Sequence, residues 1–113
     1  FAGGRVREAQ VVFEGIVASE PDEALAYTML GSIYLAQRDE PRALALFEAA
    51  LAIDPDDSAA LVARAEIRLG RGQPNFAIGD LERASALCSG RDPFGERARA
   101  LLVLARTLGR TQR

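Results

Sequence analysis

One arrangement of side chains returns along this chain at a fixed interval, and that interval limits the fold more than any other feature. Ala9, Phe13, Ile16 and Pro21 come back 34 residues later as Ala43, Phe47, Ala50 and Pro55, and again as Ala77, Leu81 and Ala84, with Ser89 in the place of the proline. A second set, Tyr27, Leu30, Gly31 and Tyr34, precedes the middle copy and is echoed one period on by Leu61 and Ala65. A unit recurring at such a period cannot bury its apolar face alone; it does so by stacking on its neighbours.

Within each period the apolar residues recur at helical spacing, and no stretch alternates with period two. Breakers punctuate the pattern: AGGR at 2–5, SEPD at 19–22, RDEP at 38–41, DPDDS at 54–58, GRGQP at 70–74 and CSGRDPFG at 88–95. Between them the spacing predicts helices at about 6–18, 23–37, 41–53, 58–69, 75–88 and 96–109, after a loop, SGRDPFGERAR, at 89–99. Pro41 and Pro74 fall where a helix begins and a missing N–H does no harm. Asp22, Asp39 and Asp57 are placed to cap orphan amides. Twenty-one alanines and an absence of lysine suit helices throughout. Short connections between successive helices imply antiparallel hairpins.

Residues 24–57 carry every element of one known pattern: aromatic-x-x-Leu-Gly-x-x-Tyr at Tyr27, Leu30, Gly31 and Tyr34, then Ala43, Phe47, Ala50 and Pro55. The chain resembles the tetratricopeptide repeat family over nearly its whole length, with Tyr27 where tryptophan is commonest. The resemblance implies an all-α fold of antiparallel helical hairpins stacked as a short right-handed superhelix with a closing C-terminal helix. It divides a single domain, 1–113, into four parts: the second helix of a partial repeat at 1–23, a complete repeat at 24–57, a degenerate repeat at 58–91, and a loop and last helix at 92–113. Phe1 falls in mid-pattern, so a longer native N-terminus is expected. The resemblance also explains a glycine at a position that costs about 1 kcal/mol in a helix interior. In the family this place lies where the two helices of a hairpin meet, and Ala65 is its counterpart here. Tyr27, Leu30 and Tyr34 are expected in the core and not in a binding cage.

With those residues turned inward, another stripe of each first helix must line the inner side of the stack. It holds Leu25, Thr28, Ser32, Leu35 and Ala36 in one repeat and Ala59, Val62, Glu66, Leu69 and Gly70 in the next. In the family such a groove holds an extended peptide or a partner helix. Leu25, Thr28, Ser32, Leu35, Ala36, Val62, Glu66 and Leu69 are therefore the candidate site, and another protein is the expected partner. Burial of the same stripe by more of the native chain, by a second copy in a homodimer or by the last helix is the alternative. Family members that clamp a C-terminal carboxylate present Lys and Asn at these places, which this chain lacks.

Charge and chemistry exclude other classes. Net charge −2 and pI near 5.2 argue against nucleic acid or an anionic membrane as partner. Residues 91–113 alone hold six arginines against two acids, and Arg99, Arg106, Arg110 and Arg113 share one helical face. That stripe reads as a solvated outer face or as an electrostatic contact with an acidic partner. There is no histidine and one cysteine, Cys88, so no imidazole base, Cys/His zinc site or internal disulfide is available, and a cytoplasmic setting fits. Asp54, Asp56 and Asp57 lack the glycine and glutamate of a calcium loop and read as turn and cap. Gly70-Arg71-Gly72 is a helix-to-helix turn and not a phosphate loop. No apolar run reaches bilayer length. The expectation is a protein with no cofactor, no metal and no catalytic residue. Layout also resembles the small bacterial chaperones of type III secretion translocators: Ala9, Ala43 and Phe47 in register, three hairpins and a last helix. A self-assembling structural array is the remaining alternative.

Overall fold

The computed structural model describes residues 4–88 and 92–111. They form six helices: α1 (Gly4–Ser19), α2 (Ala24–Ala36), α3 (Glu40–Ile53), α4 (Ser58–Gly70), α5 (Pro74–Leu87) and α6 (Pro93–Thr111). Asp39 and Asp57 act as expected, their carboxylates accepting from the backbone N–H groups of Arg42 and Ala60. Asp22 does not: α2 begins at Ala24, Glu23 takes the cap position without a side-chain bond, and Asp22 lies one residue too early. α6 begins three residues ahead of the expected start. Asp92 accepts from the N–H groups of Phe94 (2.9 Å) and Gly95 (3.4 Å), and Pro93 stands at the first helical place, so 93–99 is helix and not loop. Ser89, Arg91 and Arg113 lie outside the described residues. No helix among the described residues is long and apolar enough to cross a membrane.

The chain divides into two compact units, Phe1–Pro55 and Asp56–Arg113. In the first, α2 packs on α3 and on α1. Its core is Leu30, Ile33, Ala43, Phe47 and Ala50, with Phe47 fully enclosed. Gly31 faces that ring: a Cβ added there would stand 2.8 Å from Phe47 Cε1 and 3.0 Å from Cδ1. Close approach of the two helices is thus what the glycine supplies. Tyr27 and Tyr34 are half-buried rather than enclosed. The Tyr34 hydroxyl leaves the hairpin and donates to Glu14 Oε1 of α1 at 2.7 Å, while the Arg42 guanidinium lies 5.5 Å from its ring centre.

In the second unit, α4 packs on α5, and α6 packs on both. Leu61, Ala65, Ala77, Leu81 and Ala84 repeat the core of the first unit. One period after Leu30 and Leu46, however, stand Arg64 and Asp80. Asp80 is only 7% exposed and is gripped by two guanidinium groups. Arg64 donates to both carboxylate oxygens, at 2.8 and 2.7 Å, and Arg68 to Oδ2 at 3.1 Å. Arg68 also donates to the carbonyl of Phe76. α6 offers α5 a face of small residues, Gly95, Ala98, Ala105 and Gly109, together with Leu102.

Candidate protein-binding face

On α2 the predicted stripe is divided. Leu25 is 66% exposed, Ser32 and Ala36 are exposed and Leu35 is half-buried, but Thr28 is 4% exposed. The packed arc of α2 is wider than one seam, since Ala26, Thr28, Leu30, Gly31 and Ile33 are all buried, and it takes in the inner edge of the stripe. Ser32 donates its hydroxyl to the Thr28 carbonyl one turn back, at 3.0 Å. On another side of α2, toward α1, runs a chain of polar contacts: Gln37 donates to Gln10 Oε1 (2.9 Å), Gln10 to Glu14 Oε1 (3.0 Å), and Tyr34 to that same oxygen. The hydrogen bond from Tyr34, helped by that from Gln10, lowers the Glu14 pKa below the ordinary glutamate value. The same bond raises that of Tyr34.

On α4, Val62 is 2% exposed and so offers no surface, while Leu69 is half-buried. The cause is α6, which lies against α4 on this side. Glu66, one turn beyond Val62, is held by Arg97: Nε donates to Oε1 at 2.8 Å and Nη2 to Oε2 at 2.6 Å. The pairing raises the Arg97 pKa further. Glu66 is thus a structural partner as well as a candidate contact.

Arg97 belongs to a stripe of α6 that is distinct from the arginine face expected from the sequence. Phe94, Arg97, Leu101, Leu104 and Leu108 are spaced three and four apart on one side of α6. Phe94, Leu104 and Leu108 are exposed, Leu104 to 47%, and Leu101 is half-buried. The Arg97–Glu66 pair fastens this stripe beside that of α4, which carries Ala59, Val62, Glu66 and Leu69 at the same spacing. The spacing over 94–108 carries the signal, and the loop expected at 89–99 takes in only Phe94 and the start of the pattern. Arg99, Arg106 and Arg110 are exposed on the other side of α6. Arg106 lies 3.4 Å from Glu82 Oε2, an exposed pair of the kind that adds little stability. Cys88 is half-buried, its thiol donating to Ser58 Oγ at 3.4 Å.

A sequence profile described as "Tetratricopeptide repeat" matches residues 1–58, just over half of the chain. The chain belongs to the tetratricopeptide repeat family. It is 32% identical over 82 residues to the peroxisomal targeting signal receptor of Komagataella phaffii, an alignment that takes in 73% of this chain and 14% of the receptor. The chain therefore spans a small part of that relative. Solved structures share the fold. The tetratricopeptide domain of P58(IPK) superposes with a TM-score of 0.89 at 24% identity, over 96% of this chain and 30% of that one. The type III secretion translocator chaperone SycD of Yersinia enterocolitica gives 0.79 at 17% identity, over 96% and 75%. PcrH, in complex with the chaperone binding region of PopD, gives 0.80 at 20% identity, over 92% and 80%.

Proposed function

We propose that this chain is a non-catalytic interaction module, an adaptor that holds a segment of another protein. In the second unit the contact surface is the side of α4 and α6 that bears Glu66, Leu69, Phe94, Arg97, Leu101, Leu104 and Leu108. In the first it is the side of α2 that bears Leu25, Ser32, Leu35 and Ala36. The observation carrying the reading is the α6 stripe, three leucines and a phenylalanine at helical spacing, three of the four exposed, bordering the small-residue face of the same helix. Exposed apolar side chains gathered into one stripe mark contact surfaces.

The test begins with capture of partners from the native host and their identification by mass spectrometry. Each recombinant candidate is then titrated calorimetrically against wild type, Leu69→Glu and Leu104→Glu, with Arg106→Glu as control. The reading expects loss of binding in the first two, retention in the third and a weak dependence on salt, because apolar burial dominates. Normal binding by both leucine variants, with a steep salt dependence and loss in Arg106→Glu, would transfer the contact to the arginine side of α6.

A second, narrower reading is a chaperone of translocator proteins. Its support is coverage: this chain spans 75–82% of the SycD and PcrH chains, against 14% of the peroxisomal receptor. SycD is described in complex with a peptide of the translocator YopD. Stoichiometric co-purification with a translocator from the same host would favour it; a translocator that stays insoluble when co-expressed with this chain would count against it.

A further inference from the structure

The core pattern of α3 recurs in α1, but there it is left open. Ala43, Phe47 and Ala50 are fully enclosed in the hairpin with α2, whereas their counterparts one period earlier, Ala9, Phe13 and Ile16, are only half-buried and Val12 is 57% exposed. Among the described elements α1 packs on α2 alone, and none of its residues from Arg5 to Ser19 is buried. Arg5, Ala9, Val12 and Ile16 follow at spacings of four, three and four, with Glu20 four further on. The open side is therefore one seam with an arginine at one end and a glutamate at the other. The ends of α1 also carry charge of the wrong sign for a helix standing alone. Arg5 and Arg7 occupy its first turn and Glu20, Asp22 and Glu23 follow its last, with no acid at the start and no base at the end. The macrodipole favours the reverse. None of these five side chains has an ion-pair partner among the described residues.

A second α1 laid antiparallel answers both features. Its acidic end meets the arginines of the first, and its arginines meet the first copy's acids, so each helix end receives the charge its dipole favours. The register that sets Arg5 against the partner's Glu20 also sets Ala9 against the partner's Ile16 and Val12 against the partner's Phe13. Small thus faces large beside the centre, as Gly31 faces Phe47 within the hairpin. The arrangement has a two-fold axis, so every contact is made twice. The last helix of another copy is the wrong occupant: laid antiparallel, it would bring Arg106 and Arg110 against Arg5 and Arg7, and Asp92 and Glu96 against Glu20. We propose that α1 is a self-association surface, through which two copies of this chain pair by an isologous, antiparallel contact of their α1 helices. The contact is separate from the partner-binding face on α4 and α6 and does not depend on it.

Sedimentation velocity over a concentration series tests it, on the recombinant chain and on the full native gene product. The wild-type chain should pass from monomer to dimer as concentration rises. Val12→Glu should remain monomeric with an unchanged circular dichroism spectrum, and Leu104→Glu should dimerise as wild type does. Arg5→Glu and Glu20→Arg should each weaken the dimer about ten-fold, since each reversal turns two attractive pairs into repulsive ones. An equimolar mixture of those two variants should recover the wild-type dimer, because Glu at position 5 of one then meets Arg at position 20 of the other, and the same pairing holds at the opposite end. Monomers at every concentration, in the recombinant chain or in the native product, overturn the proposal; in the second case the α1 face is filled by the native chain itself. A dimer that survives Val12→Glu, that is lost in Leu104→Glu, or that mixing the charge variants does not restore, is held together elsewhere and overturns it too.

Discussion

The hairpins α2–α3 and α4–α5 are one pattern written twice, and where they differ each shows what the other depends on. At the helix contact the first pairs Gly31 with a fully buried Phe47; one period on, the second has Ala65 and Leu81, both fully buried. A larger side chain on one helix goes with a smaller one opposite. Where the first has Leu30 and Leu46, the second has Arg64 and Asp80, with Arg68 added in the place of Tyr34. The turns are complementary as well. Arg38 and its counterpart Gly72 both adopt positive φ, 63° and 72°, a conformation natural only to the glycine. The first hairpin compensates with a side-chain cap from Asp39, which the second lacks at Gln73. Each hairpin is therefore strong where the other is weak, and a shared fold tolerates both solutions.

The largest effect should come from unbalancing the ionic cluster. Asp80→Ala leaves two guanidinium groups facing each other in a largely buried place and should cost about 3 kcal/mol in urea denaturation. Copying the first hairpin with Arg64→Leu and Asp80→Leu together should recover most of that loss; a double variant as weak as the single one would show that the two sites are not equivalent.

The Gly31 contact comes next. Gly31→Leu should lose roughly 1–3 kcal/mol through overpacking. Gly31→Ala should also be destabilising, although alanine favours the helix by about 1 kcal/mol, because the enclosed Phe47 ring has little room to yield. Adding Phe47→Leu, the pairing of the second hairpin, should make the alanine tolerable, and a double-mutant cycle with no coupling would break the comparison.

The turn is a smaller effect of opposite sign: Arg38→Gly should stabilise by about 0.5–1 kcal/mol, and Gly72→Ala should destabilise by a similar amount. Smallest is the exposed Glu14–Tyr34 contact, present only in the first unit. Its carboxyl is held below the ordinary value by the Tyr34 hydroxyl. Its contribution is therefore present above the unfolded pKa and lost as pH falls through the lower folded value. In Tyr34→Phe the carboxylate carbon of Glu14 should titrate at higher pH than in wild type; an unchanged midpoint would show that the hydroxyl does not set it.

How far the sequence reached follows from the same comparison. A 34-residue period transfers helix positions from one repeat to the next, so five helices lie close to their expected limits, and Gly31 was legible because a pattern with Phe47 opposite requires it. Arg64 and Asp80 were also within reach, since both leucines of the first hairpin change together to opposite charges. Arg97 and Glu66 were not: they stand 31 residues apart, off the period, and meet only because α6 begins at Pro93. Burial of Thr28 and Val62 depends on neighbouring helices, which a helical wheel drawn for one element cannot include. Phe94 falls in the expected loop at 89–99, whereas Leu101, Leu104 and Leu108 lie within the helix expected at 96–109 and their spacing is legible in the sequence.

The claim at the centre of this account is that the leucines facing outward on α2 and α6 serve a partner and not the fold, and chemical denaturation of the chain alone tests it most directly. Leu25→Glu and Leu104→Glu, both at exposed positions, should each change stability by no more than about 0.5 kcal/mol, whereas Leu61→Glu in the core should unfold the protein. A loss of 2 kcal/mol or more in Leu104→Glu would place that side chain in the core and contradict the account.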